Sequence, residues 1–323
     1  MSAIRRVWVI VIALFAVTVL PRVLMSASGQ AARPSAVIDS TQLLRDLQTL
    51  SSDEMQGREV DTPGGAKARA FVTERFKASG VTPFGESYDE PFTFSSGRAG
   101  ARAERHGINV AGHIDGTDAP RRFIVVSAHY DHLGVRNGVV YHGADDNASG
   151  TAALFAVARY FSAHRPSHSL LIVAFDAEES GLKGSEAFVR QPPVDVAALG
   201  VDLNMDMIGR DPNDKLFVVG TYTQPFLKPL VDKAAAMATV NLLVGHDNPN
   251  EKGVEDWTRD SDQYAFMQAK IPALYFGVED FDQHHKPTDE YETMTYDFYV
   301  RAVETLVTVV KVFDANLDAL GRS

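Results

Sequence analysis

Phe123-Ile124-Val125-Val126-Ser127-Ala128-His129-Tyr130-Asp131-His132, followed after a turn-rich excursion by Gly143-Ala144-Asp145-Asp146-Asn147-Ala148-Ser149-Gly150, is the stretch from which the rest of this chain can be read. The first half is apolar almost throughout, as a strand is when helices cover both faces of a parallel sheet. It delivers a histidine at its end. The second half is a loop that delivers carboxylates and then enters a helix.

Working outward, the pattern after residue 122 alternates. Strands are expected over 122–128, 170–177, 199–207, 216–219, 240–244 and 273–277, and helices over 148–162, 184–190, 225–237, 262–268 and 293–315. That order predicts an α/β fold, a mixed and mostly parallel sheet with helices on both faces. Upstream, Ser40 is placed to cap a helix over 41–50, the polar and Gly-containing 55–65 reads as a loop, and 66–79 reads as a helix stopped by Gly80. Short strands over 91–114 would cover one flank of the sheet. In open α/β sheets chemistry gathers at the carboxyl ends of strands. His129, Glu178-Glu179 and Asp206 fall at three such ends, Asp146 at the start of a helix, and His285 in the loop after the last strand.

Composition narrows the chemistry. The chain has 323 residues, 45% hydrophobic and 23% charged, with a formal charge of −11. That balance argues against a nucleic-acid binder, which needs basic surface to neutralise phosphates. With no cysteine, disulfides, thiolate metal sites and cysteine nucleophiles are excluded. At the N-terminus Arg5-Arg6 precede an apolar run over 7–20, Pro21 and the small residues 26–29. This is the order of a secretory signal, and the run is short for a spanning helix of roughly 20 residues. Residues 1–36 are therefore expected to be a leader or anchor plus spacer, and 37–323 a single catalytic domain. The expected location is periplasmic or extracellular, with an uncleaved membrane anchor as the alternative.

His129, Asp146, Glu179, Asp206 and His285 form a coherent ligand set. Imidazoles and carboxylates without thiolates suit zinc, with manganese or cobalt able to use the same donors. One shared carboxylate plus two further ligands per ion would hold two ions roughly 3.5–4 Å apart. Asp131, two residues after His129, points the same way in an extended strand and is placed to orient the imidazole. Glu178, next to a ligand yet free of metal, suits a general base that takes a proton from a metal-bound water and passes it to a leaving amine. Asp206 lies in an apolar stretch where an unpaired carboxylate is costly, and ligation resolves that cost. His132 and His142 are read as structural, Asp145 as a helix cap or surface charge, and Arg210 and Arg259 as surface or salt-bridging.

His129-x-Asp131, Gly143 to Gly150, Ala177-Glu178-Glu179-Ser180-Gly181-Leu182-x-Gly184-Ser185, Asn204-Met205-Asp206-Met207 and His285-Lys286-Pro287-Thr288-Asp289 together resemble the secreted di-zinc aminopeptidases typified by bacterial leucyl aminopeptidase. The likeness runs over about 105–310, and 40–85 resembles the family's N-terminal portion. It implies a three-layer α/β/α sandwich, two zinc ions per chain and peptide substrates with a free N-terminus. It further implies that Asp146, not Asp145, bridges the ions, that His129 and Asp206 complete one site and Glu179 and His285 the other, and that Glu178 is the base. The chain departs from the family in three places. Ser261-Asp262-Gln263 stands where Ser-Asp-His is common, His284 where tyrosine is common, and no residue aligns with the oxyanion tyrosine, Tyr264 and Trp257 being only neighbours. No insertion between the motifs is long enough for a protease-associated domain. Two alternatives remain: a single-zinc glutaminyl cyclase on the same fold, and a non-catalytic peptide-binding protein, which would typically have lost ligands or base.

Overall fold

Burial on both sides makes the central strands apolar, and the two cores that bury them define the layers. In the computed structural model, which describes residues 33–97, 103–118 and 122–320, the strands are β1 (Asp89–Ser96), β2 (Ala103–Ile114), β3 (Phe123–His129), β4 (Val135–Arg136), β5 (Val139–Val140), β6 (Ser169–Phe175), β7 (Leu199–Met205), β8 (Lys215–Val219), β9 (Asn241–Val244) and β10 (Ala273–Gly277). The helices are α1 (Ser40–Leu50), α2 (Pro63–Ala78), α3 (Gly150–Ala163), α4 (Lys183–Arg190), α5 (Lys228–Ala235), α6 (Gln263–Gln268) and α7 (Tyr296–Asp314). The expected leader lies outside the described residues. Among those residues no helix is long and apolar enough to cross a membrane.

Eight strands form one sheet in the order β1-β2-β6-β3-β7-β10-β8-β9, and β4 and β5 form a small hairpin apart from it. The central run β6-β3-β7-β10 is parallel, while β1 on β2, β2 on β6 and β8 on β10 are antiparallel. Along β6 the side chains alternate. Leu170, Ile172 and Ala174 enter a large core with α1, α2, α3, α5 and α7, whereas Leu171, Val173 and Phe175 enter a smaller one with Phe188 of α4 and Phe266 of α6. Each fully buried Leu, Ile, Val or Phe contributes about 1.5–3 kcal/mol, so the strand is fixed by both layers. The mixed, mostly parallel sheet with helices on both faces, expected from the alternation, is the fold observed. From β3 the chain crosses through α3 to β6, then returns through α4 on the opposite face to β7. Reversing direction on opposite faces is what right-handed crossovers require, and it opens a crevice at the carboxyl ends of the parallel strands.

The expected elements agree with the structure to within a few residues except near α2. That helix starts at Pro63, inside the stretch expected to be loop. Thr62 accepts a hydrogen bond from the Gly65 amide, and Pro63 occupies the first turn, where its missing N–H costs nothing. The glycines that suggested a loop serve close packing instead. A Cβ on Gly64 or Gly65 would come within 2.5 Å of the Met55 or Glu59 carbonyl oxygen. A 3-10 turn, Asp53–Arg58, takes up the start of that stretch, and residues 59–62 remain irregular.

Candidate metal centre

Four parallel strands end side by side, so their carboxyl ends deliver side chains to one place. His129 is the last residue of β3, Glu178-Glu179 follow β6, Asp206 follows β7, and His285 lies in the loop beyond β10. Asp146 joins them from the turn before α3. That turn is held against β7 by Asn147, which donates to the Met205 carbonyl (2.9 Å) and accepts from the Gly150 amide (2.8 Å). Gly150 must be glycine, because a Cβ would lie 2.4 Å from the Met205 carbonyl oxygen.

The residues singled out in the sequence are brought together. Asp146 Oδ1 lies 3.4 Å from His129 Nε2, and that nitrogen is 3.2 Å from Asp206 Oδ1. On the other side, Asp146 Oδ2 lies 3.3 Å from His285 Nε2, which is 3.0 Å from Glu179 Oε2. Asp146 thus faces two donor groups with its two oxygens. Glu178 Oε2 is 4.0 Å from His129 Nε2 and is not among the residues that converge as ligands.

These distances test the fit of a metal. With bonds of 2.0–2.1 Å, neighbouring ligands of a tetrahedral zinc are about 3.3 Å apart, close to the 3.2, 3.4, 3.3 and 3.0 Å observed. The donors are nitrogen and oxygen only, as zinc accepts. Electrostatics agree. Burial would raise the carboxyls of Asp146 and Glu179, yet His132, His129 and His285 hold Asp146 well below its ordinary value. Glu179, raised by burial and by Asp146, is brought down to about 2 by His132 and His285. Hydrogen bonds to Asp146 and Glu179 push His285 up to about 10. Protons and metal ions compete for such donors, so groups that hold positive charge this strongly are suited to a cation. Glu178 behaves differently: burial, with Glu179, Asp262 and Asp206 adding to it against His129, pushes its carboxyl well above the ordinary value.

The supporting residues depart from expectation in informative ways. Asp131 does face His129, with Oδ1 at 3.6 Å from Nδ1, but its backbone carbonyl is nearer at 3.1 Å. Its carboxylate also accepts the amides of Glu178 (3.0 Å) and Glu179 (3.3 Å), tying the end of β3 to the turn after β6. Asp145 is fully buried rather than a surface charge, accepting the Gly209 amide at 2.7 Å. Arg210 is salt-bridging, as one of its two readings had it, with Asp280 and Asp289 as partners. Asp289 in turn accepts the amides of Asp145 (2.9 Å) and Asp146 (3.0 Å), which fixes the turn that carries Asp146. It stood in the quoted His285 motif without a role. Ser261 donates to Asp206 Oδ2 at 2.7 Å, so the departing Ser261-Asp262-Gln263 segment still orients Asp206. Its Gln263 lies behind the site and donates to the Thr258 carbonyl at 3.2 Å.

Beside His284, which converges with Asp146 and His285 and has Nε2 3.7 Å from Asp146 Oδ2, two residues were missed. His132, read as structural, is fully buried with Nδ1 2.7 Å from Glu179 Oε1 and 3.6 Å from Asp146 Oδ2. Its signal was present in the sequence, three residues from His129. Arg58 had no such signal. It is completely buried and donates to the carbonyls of Leu50, Tyr130, His142, Gly143 and Asp146, clasping both halves of the opening stretch.

Residues 109–310, more than half of the chain, match peptidase family M28. The chain belongs to this family. Among its curated relatives is a probable zinc metalloprotease of Pyrenophora tritici-repentis, 26% identical over 248 residues, covering 61% of this chain and 54% of the relative. The chain thus spans about half the length of that relative. Among solved structures, a zinc aminopeptidase from Bacillus subtilis superposes with a TM-score of 0.69 at 15% identity, covering 88% of this chain and 96% of the other. A glutaminyl cyclase from Fimbriiglobus ruber gives 0.68 at 17% identity, covering 87% and 99%. At such identities these two similarities establish the M28 fold, while the family match and the donor set carry the link to zinc.

Proposed function

We propose that this chain is an exported zinc aminopeptidase that holds two zinc ions and removes N-terminal residues from peptides. The observation that carries the choice of activity is the wall of the cleft over the donors. Beyond the donors, whose charge bound zinc would offset, and Asp280, which pairs with Arg210, this cleft of ≈ 360 Å³ is lined by Glu255 and Asp260 and, among the described residues, by no lysine or arginine. Such a wall attracts an N-terminal ammonium and repels a C-terminal carboxylate, whose recognition would call for arginine or lysine. Zinc bound by these donors would polarise the scissile carbonyl and acidify water. Glu178 takes the proton of the attacking water and returns it to the leaving amine. Asp131, through the Glu178 amide, and the buried surroundings hold that carboxyl in place. Trp257, Phe281, Val278 and Met207 supply the apolar side of the cleft, which suits a large apolar first residue. Export rests on the leader-like run over 7–20.

The two-zinc reading is supported by the two oxygens of Asp146 facing separate donor groups. A glutaminyl cyclase with one zinc is the competing reading. The test compares a free-amine leucyl peptide, its N-acetylated analogue and an N-terminal glutaminyl peptide, alongside a zinc count. Cleavage of the free amine alone with two zinc ions is expected. Equal rates on the acetylated peptide would refute an aminopeptidase, and cyclisation of glutamine with one zinc would favour the cyclase.

A further inference from the structure

The donors around Asp146 are uneven, and the unevenness turns on His132. Its imidazole is fully buried, yet neither ring nitrogen makes a hydrogen bond, and Glu179 Oε1 is likewise buried without one. His132 Nδ1 and Glu179 Oε1 stand only 2.7 Å apart without the alignment of a hydrogen bond. A buried polar atom left unpaired is costly, so the two atoms call for a common partner to one side of the line that joins them. His132, Asp146 and Glu179 converge closely enough to hold one ion.

We propose that His132 is a zinc ligand, so that the two ions of the proposed enzyme are inequivalent. This rests on the two-zinc reading above. One position has His129, Asp206 and Asp146 Oδ1. The other has Asp146 Oδ2, Glu179, His285 and also His132, which lies 3.6 Å from the same Asp146 oxygen that His285 approaches at 3.3 Å. The ring centroids of His132 and His285 are 6.0 Å apart, so the two imidazoles approach that position from different directions. A position with four protein ligands is closed, whereas one with three keeps a place for water or substrate. Glu178, near His129, lies beside the three-ligand position, where a base is of use. The four-ligand ion is retained and the three-ligand ion exchanges. His132 is also the better sheltered of its two histidines, since His285 is about half exposed.

The test is zinc binding by the metal-free protein, titrated against a competing chelator, with the visible spectrum of the cobalt(II)-loaded protein as a second readout. In the wild type, one zinc is expected to bind at least about tenfold more tightly than the other. His132→Ala should weaken the tight ion by about 100-fold or more, beyond the usual 10–100-fold loss when only a ligand's supporting partner is removed. It should leave the weaker ion unchanged and shift the cobalt spectrum of the tight position. His132→Gln, which retains bulk and a hydrogen-bonding amide, serves as the folding control and should weaken the same ion. Wild-type zinc affinity in either variant would overturn the proposal, the glutamine result showing that His132 only orients Glu179. A wild type that holds a single zinc would refute the two-zinc reading and not the role of His132. In that case loss of the one zinc on replacing His132 supports the role, and its retention overturns it.

Discussion

Replacing Arg58 by lysine keeps the charge and removes the fork, which isolates what the guanidinium contributes. Arg58 donates to Leu50 O at 2.7 Å, Tyr130 O at 2.8 Å, His142 O at 2.6 Å, Gly143 O at 2.8 Å and, weakly, Asp146 O at 3.4 Å. Burial lowers its pKa to about 10 against the pull of Asp146, Asp289, Asp131 and Glu179, so it stays charged at neutral pH. A lysine has three donors on one atom and cannot span five carbonyls spread over three segments. At least two buried acceptors then go unmet, at ~1–3 kcal/mol each, so Arg58→Lys should cost roughly 2–4 kcal/mol after some relaxation. At about 2–4 °C per kcal/mol for a domain of this size, the melting temperature should fall by roughly 5–15 °C. Zinc affinity should fall as well, because the Gly143 and Asp146 carbonyls lie on the turn that carries Asp146, the proposed shared ligand. Thermal and urea unfolding of the metal-free protein and a zinc titration measure the two effects. Unfolding within about 0.5 kcal/mol of wild type, the range of ordinary surface substitutions, would refute this account of the clasp.

Other outcomes follow from the same geometry. Glu178→Ala should retain both zinc ions, as counted by metal analysis, while kcat on a leucyl substrate falls by about 10²–10⁴-fold; near-normal turnover would remove Glu178 as the base. Asp202, fully buried on β7 with Ser127 as its hydrogen-bond donor, has its carboxyl raised well above the ordinary value, chiefly by burial. The folded state therefore holds a proton that the unfolded state releases as pH rises above the ordinary aspartate value of about 3.9, and stability falls as pH climbs from there toward the folded value. Asp202→Asn should remove this contribution, so that the stability gap between variant and wild type widens from pH 5 to pH 8; parallel urea-unfolding profiles would contradict it. Trp257, stacked on His246 at 3.6 Å between ring centroids, forms part of the apolar wall of the cleft. Trp257→Ala should lower the preference for leucine over alanine as first residue by about tenfold or more in kcat/KM, and an unchanged ratio would place the specificity elsewhere.

What the sequence could disclose follows from how each residue is held. β3, β6 and β10 are largely apolar on both faces, and β7 on one, because each is packed between helices, and that pattern marks their ends, where His129, Glu178-Glu179, Asp206 and the loop with His285 emerge. The residues that converge at the candidate centre were legible because strand ends lie side by side there. The start of α2 was obscured because Gly64 and Gly65, which mark loops in most sequences, are used here for close approach to the Met55 and Glu59 carbonyls. Arg58 was illegible for a deeper reason: its partners are all backbone carbonyls, and a carbonyl is offered by every residue type. Asp131 shows both cases in one side chain. Its approach to His129 follows from two-residue spacing within one strand, and was foreseen. Its hold on the Glu178 and Glu179 amides depends on β3 lying beside β6, a pairing made across the 39 residues between His129 and Ser169. His132 lies between these limits. Its spacing from His129 was visible, but the partner that distinguishes it from a structural histidine, Glu179, becomes its neighbour only when those two strands pair.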